Sequence, residues 1–248
     1  MTTERTDVVK QQVAAHWNRR AAHFDEDFGH SIRTPAERAA WDRILDLVLG
    51  ALSALDGRGG LEALDAGCGT GFLSFELAAR GHRVTGVDFA PAMIAAARGK
   101  AAERSVSIRF EEGDVEQLPF TSARFDLVIS RHLLWTLPHP EAALDEWIRV
   151  LRPGGRLVVV DSQLATAASS SAENARTSPE YAAVGDQLPF LSGRPREEIE
   201  GLLTARGLVG VGSDPLHDLV AAQERLMVEE GRERVARRRY VVWGDVTR

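Results

Sequence analysis

The stretch Leu64-Asp65-Ala66-Gly67-Cys68-Gly69-Thr70-Gly71-Phe72-Leu73-Ser74 constrains this chain more than any other. Leu61, Ala63 and Leu64 lead into it as a short buried strand. From Phe72 to Arg80 apolar residues recur at helical spacing, Leu73 and Leu77 among them, and Gly81 is a stop signal. Three glycines therefore sit where a strand turns into a helix. Glycine tolerates positive φ and, lacking Cβ, lets a ligand approach the backbone. The following helix presents unpaired N–H groups at the same place. The spacing is G-x-G-x-G. A dinucleotide fingerprint needs G-x-G-x-x-G, with its third glycine where Phe72 stands, and no phosphate-cradling G-x-x-x-x-G-K run is present. Asp65, just before the first glycine, would repel a pyrophosphate and suits a ligand that carries an ammonium group.

Two further strand ends carry matching chemistry. His82 to Asp88 reads as a second strand that ends in a carboxylate, the place where doubly wound sheets bind ribose hydroxyls. Val106 to Phe110 reads as a third, followed by Glu111-Glu112-Gly113-Asp114-Val115, so Asp114 can accept from an adenine amine. Three such ends in order are more specific than any one of them.

Together D-A-G-C-G-T-G, V-D-F at 87–89, G-D-V at 113–115, F-D-L-V-I-S at 125–130 and L-R-P-G-G-R-L at 151–157 resemble a class I S-adenosylmethionine-dependent methyltransferase. The subgroup is the small-molecule type of ubiquinone and menaquinone biosynthesis, and the likeness covers about residues 60–162. It implies an α/β fold: a doubly wound, mostly parallel, Rossmann-like sheet of seven strands, the last antiparallel, under an N-terminal helical lid. It implies S-adenosylmethionine as cofactor, with S-adenosylhomocysteine as product. The cofactor-binding residues it points to are Asp65, Gly67, Gly69, Gly71, Asp88, Phe89, Asp114, Val115 and Ser130. His16-Trp17-Asn18-Arg19-Arg20-Ala21-Ala22-His23-Phe24-Asp25 resembles the subgroup's opening motif, whose Arg helps hold the methionyl carboxylate. Arg20 takes that position, while His16 and Phe24 stand where the subgroup has Tyr.

One domain is expected over 1–248: helices and lid over 1–60, a cofactor-binding core over 61–163, and an acceptor-side insertion with sheet completion over 164–248. The net charge of −6 implies no general affinity for nucleic acid or anionic membranes. The single cysteine, Cys68, excludes an intramolecular disulfide and fits a reducing compartment. It reads as a small residue packed beneath the ligand rather than as a nucleophile. No long apolar run and no signal peptide are seen, so a cytoplasmic location is expected.

Along the rest of the chain, Val8, Val9, Val13 and Trp17 form one helix face. Thr34-Pro35 opens a helix whose stripe of Trp41, Ile44, Leu45, Val48, Leu52 and Leu55 reads as core. Helices are expected from Pro91 and Pro140, a fourth strand from Phe125 to Ser130, and a fifth from Arg156 to Asp161. Ala165 to Ser178 reads as a flexible segment. Beyond it come a helix over 196–206, a strand over 208–213, a helix over 216–229 and a strand over 240–243. The arginine-rich run from Arg232 to Arg239 reads as a solvated helix end, with RNA contact as the alternative.

Methyl transfer from a sulfonium is an in-line displacement, so positioning and water exclusion dominate, and a base is needed only if the nucleophile still carries a proton. His132, just past the fourth strand, is the catalytic candidate; a structural histidine is the bland alternative. Asp161 is second, and His16 and His23 could reach in from the lid. Arg131 could hold an acidic acceptor, and Trp135 could stack on a planar one. No cluster with metal-ligand spacing appears, so no metal is expected. A nicotinamide oxidoreductase would want a pair such as Tyr-x-x-x-Lys, but Tyr181 and Tyr240 are followed at that spacing by Gly185 and Gly244. A cofactor-binding protein without transfer activity, and an RNA or nucleoside methyltransferase, stay open as alternatives. The expected partner is a small-molecule acceptor, with neither membrane nor nucleic acid.

Overall fold

Strand alternation decides how this chain layers. Leu127 and Ile129 on one strand, Val158 and Val160 on the next and Val241 on a third all pack with Trp41, Ile44, Leu45, Leu73, Leu77 and Leu219. Their neighbours Val128, Leu157, Val159 and Val242 face the opposite way, into a cluster with Leu144, Trp147, Ile199 and Leu203. Side chains of period two thus feed two cores, one on each face of a single sheet. The computed structural model describes residues 3–50, 52, 59–164, 178–232 and 237–247.

The strands are β1 (Glu62–Ala66), β2 (Arg83–Asp88), β3 (Arg109–Glu112), β4 (Phe125–Arg131), β5 (Leu151–Leu164), β6 (Val209–Asp214) and β7 (Arg237–Asp245). Their order is β3-β2-β1-β4-β5-β7-β6. The first five pair in parallel, and β7 runs antiparallel to both β5 and β6. This is the expected seven-stranded, mostly parallel architecture. The order reverses between β1 and β4, so the crevice lies at the carboxyl ends of those two strands.

The helices are α1 (Thr3–Arg20), α2 (Pro35–Leu49), α3 (Phe72–Ala79), α4 (Pro91–Glu103), α5 (Pro140–Val150), α6 (Pro179–Val184), α7 (Arg196–Ala205) and α8 (His217–Glu229). Thr34 caps α2 in a full capping box: its side chain accepts from Glu37 N while Glu37 accepts from the Thr34 backbone. Helix α1 lies on α6, with Val9 and Val13 buried against Tyr181, Val184 and Leu188. Val8 is exposed and leaves the expected helix face. Leu55 and the segment 165–177 lie outside the described residues.

Three boundaries differ from expectation. β3 starts at Arg109 because α4 closes through Ser105 in a left-handed conformation, and only from Arg109 on do residues pair with β2. β5 begins at Leu151 and passes through the Pro153-Gly154-Gly155 turn, with a register shift against β4. β7 reaches back to Arg237, so Arg239 belongs to a strand rather than to a solvated helix end. Antiparallel pairing with Ser162 buries that arginine to 4% exposure. Among the described residues, no helix is long and apolar enough to cross a membrane.

Candidate functional site

At the reversal of strand order lies an open cleft. Its first wall is the glycine loop. Gly67, Gly69 and Gly71 take φ of +71°, +54° and +92°, a left-handed run that other residues adopt only with strain. A Cβ on Gly67 would stand 2.5 Å from Leu133, whose side chain would have to move to admit it. Gly71 serves as the N-cap of α3 rather than as cleft lining.

Asp88 fixes this loop to the end of β2. Its carboxylate accepts from Gly69 N and from Ala90 N, each at 2.9 Å. Burial raises its pKa to about 6 against the pull of these backbone donors. Asp65, at the end of β1, accepts from Ser74 Oγ at 2.6 Å, and burial raises it too to about 6. Phe89 and Met93 complete this side of the cleft. Cys68 is buried beneath the loop, and desolvation pushes its thiol pKa well up, which fits a packing role.

Some expected site residues stand elsewhere. Asp114 does not line the cleft: it accepts from Lys10 Nζ of α1 at 2.6 Å and from Glu116 N at 2.9 Å. Val115 is in the core, its carbonyl accepting from Trp147 Nε1 at 3.1 Å. Ser130 is buried at the end of β4 beside Ala66, and its Oγ has no hydrogen-bond partner among the described residues. Arg20 does line the cleft, with its guanidinium on Asp27. Of the lid histidines, His23 is exposed and pairs with Glu26. His16 is buried between Trp17 and Tyr181, and desolvation lowers its pKa to about 4. Neither lines the cleft, because α1 turns its Trp17 edge inward instead.

The second wall is assembled from distant segments. Trp17, Phe24 and Trp135 meet edge to face, with centroids 5.8 and 5.9 Å apart. His30 packs on Phe24 at 4.1 Å and approaches the His132 ring at 6.5 Å. Arg131 donates from Nη1 to Gly29 O at 3.0 Å and lies over the Phe72 ring at 4.2 Å. Desolvation at the cleft floor brings its pKa down to about 10, so it is charged at neutrality.

His132 is left-handed, with φ of +56°, and its N–H donates to Val160 O. It has therefore left the alternation of β4 and stands in the same cleft as Arg131. Its Nδ1 is 3.6 Å from Asp161 Oδ1, and its Nε2 is 3.3 Å from Arg239 Nη1. An arginine only donates, so this contact places the imidazole lone pair on Nε2 and the proton on Nδ1, toward Asp161. Burial raises the Asp161 pKa to about 7.

His30 and Arg239 were not foreseen. The one sequence signal for Arg239 was its spacing two residues before Val241 in a strand-like run, which puts both side chains on one face.

A seven-stranded sheet in this order, with a glycine loop and a carboxylate strand end facing one cleft, is the Rossmann-like methyltransferase fold. Residues 64–159 match the family described as "Methyltransferase domain". That match falls within the stretch, about residues 60–162, whose motifs resemble a class I methyltransferase. It is similar to a malonyl-acyl-carrier-protein O-methyltransferase of Serratia marcescens, 36% identical over 66% of this chain and 57% of the relative. It is also similar to a demethylmenaquinone methyltransferase of Thermus thermophilus, 46% identical over 40% of this chain and 46% of the relative. The chain spans about half the length of the curated relatives it matches. Among solved structures, SpnF, described as a 4+2 cyclase, superposes with a TM-score of 0.67 at 22% identity, covering 96% of this chain and 97% of that one. One fold can thus host different chemistry, and function must be argued from the site.

Proposed function

We propose that the chain acts as one unit that transfers a methyl group from S-adenosylmethionine to a small-molecule acceptor. The observation that carries this reading is the convergence of the left-handed glycine loop and Asp88 on one cleft, locked by the Gly69 N to Asp88 bond at 2.9 Å. Residues 1–60 serve as lid and support, 61–163 as cofactor core, and 164–248 as acceptor side and sheet completion.

The residues present fit this cofactor. Each carboxylate oxygen of Asp88 keeps a lone pair beyond those used by Gly69 and Ala90, enough for two ribose hydroxyls. Phe89 covers the adenine face. Asp65 and the unpartnered buried Ser130 Oγ stand where an ammonium group would be received. Arg20 faces the methionyl carboxylate after exchanging Asp27 for it. Asp114 stands off the cleft lining and would meet the adenine amine only on releasing Lys10, while Val115 supports that side from the core.

When bound, the cofactor supplies an electrophilic methyl on a sulfonium. The chain's own work is to hold the acceptor in line with that methyl and to exclude water. Such positioning can supply ~7–11 kcal/mol. Trp17, Phe24, Leu133 and Trp135 form the dry wall for it. Where the acceptor arrives protonated, His132 Nε2 releases Arg239 Nη1 and takes the proton, and Asp161 beside Nδ1 stabilises the resulting imidazolium.

Calorimetry on the full chain tests this. S-adenosylmethionine and S-adenosylhomocysteine should bind and NAD should not. Mass spectrometry with isotope-labelled cofactor then identifies the methylated product. NAD binding without adenosylhomocysteine binding would end the proposal.

A further inference from the structure

The acceptor half of the cleft is unusually cationic for a chain with a net charge of −6. Two guanidinium groups from distant parts of the sequence meet around one residue, Gly29. Arg131 Nη1 donates to the Gly29 carbonyl at 3.0 Å. Arg239 Nη2 stands 2.7 Å from the point a Gly29 Cβ would occupy. Both line the cleft, as do His30 and His132. Among the described residues, no carboxylate lies within ion-pair distance of Arg131. Its described partners are a carbonyl and the rings of Phe72 and Trp41.

Burying a guanidinium costs free energy unless an anion or several acceptors compensate it. A single carbonyl and two ring faces satisfy few of the five donors on Arg131. The carboxylates that bear on these arginines are themselves weakened as counter-ions. Asp65 is already bonded to Ser74, Asp25 to Thr70 and Lys100, and Asp161 sits behind His132 with its pKa raised to about 7. The aromatic and aliphatic wall of Trp17, Phe24, Leu133 and Trp135 faces the same space.

From this juxtaposition we infer that the acceptor is a carboxylic acid with an apolar body, its carboxylate seated between Arg131 and Arg239. Arginine forks match carboxylate geometry two bonds at a time, which also orients the ligand. The inference rests on the methyltransferase reading, since it names what that reading's second substrate is. His132 then has a further task. By accepting from Arg239 Nη1 at 3.3 Å it keeps that guanidinium turned into the cleft.

The test loads the full chain with adenosylhomocysteine and titrates benzoate, octanoate, phenyl phosphate and benzamide by calorimetry. The acids should bind at least about tenfold tighter than benzamide, the scale of one charge-assisted pair. Arg239→Gln should erase that preference, while Arg239→Lys should keep part of it. Adenosylhomocysteine affinity, measured in the same samples, reports whether each variant is folded and loaded. Equal binding of benzamide and benzoate, or a preference unchanged in Arg239→Gln, overturns the inference. A preference for phenyl phosphate over both carboxylates overturns the carboxylate assignment. If wild type fails to bind adenosylhomocysteine, the cofactor reading falls first. If it binds and shows no acid preference, only this inference falls.

Discussion

The two walls of the cleft are built on different plans. The glycine-loop wall comes from one continuous run, β1 through α4, and is held by backbone: Asp88 on two N–H groups, Asp65 on the first turn of α3. The opposite wall draws single side chains from α1, the Gly29-His30 turn, the exit of β4, β5 and β7. Ring edges and arginine contacts hold it together. A backbone-built wall can change little without losing the fold. A side-chain-built wall can be altered one residue at a time. The cleft thus pairs a fixed half with an adjustable one.

The sharpest way to break this contrast is at His132. His132→Ala should lower kcat by roughly 10²–10⁴-fold if the acceptor gives up a proton there, with adenosylhomocysteine affinity nearly unchanged. His132→Gln keeps an acceptor for Arg239 but cannot take the proton, so it should not restore the rate. If stopped-flow or radiolabel assays found Gln as active as wild type, His132 would be an orienting group only. Since the position has φ of +56°, His132→Asn is the control that keeps the backbone at ease.

The fixed half should respond through affinity and stability together. Asp88→Ala should weaken adenosylhomocysteine binding by roughly 1.5–3 kcal/mol, the scale of a hydrogen bond to a charged group. It should also lower the melting temperature, because Gly69 N and Ala90 N lose their acceptor. A variant that loses affinity but melts as wild type would show that the loop does not depend on this carboxylate.

The smallest effect is expected at the lid. Lys10 bridges Asp114 and Glu116, each at 2.6 Å, in a partly exposed setting. Such a pair is worth at most about 1 kcal/mol once solvent screening is counted. Lys10→Met should speed limited proteolysis within residues 1–30 in the empty protein, and adenosylhomocysteine should slow it. Identical cleavage of wild type and variant, in both states, would mean that Lys10 does not fasten α1.

The same contrast explains what was legible beforehand. The glycine loop, Asp65, Asp88 and the strand ends follow from local patterns, because each needs only neighbours within one strand-turn-helix unit; the seven-stranded sheet, whose pairings are not local, came from the family resemblance. Asp114 marks the limit of such reading: its place after a strand end is a local feature, but its pairing with Lys10, about a hundred residues upstream, has no local signal. Arg239 was assigned to solvent because arginines in a row read as a helix end, while pairing with β5 buries one of them. His30 had no local signal at all. It matters only because Phe24 and His132 come to it.

The left-handed backbone at His132 has an evolutionary consequence. The position admits Asn, Asp and Gly at little steric cost but resists Val, Ile and Thr. A lineage can therefore swap a proton acceptor for an amide, a carboxylate or nothing while β4 and its exit keep their path. Arg131 and the glycine loop would stay where they are. Reactivity on this scaffold can drift by single codon changes at one hinge, and the cofactor wall has no need to follow.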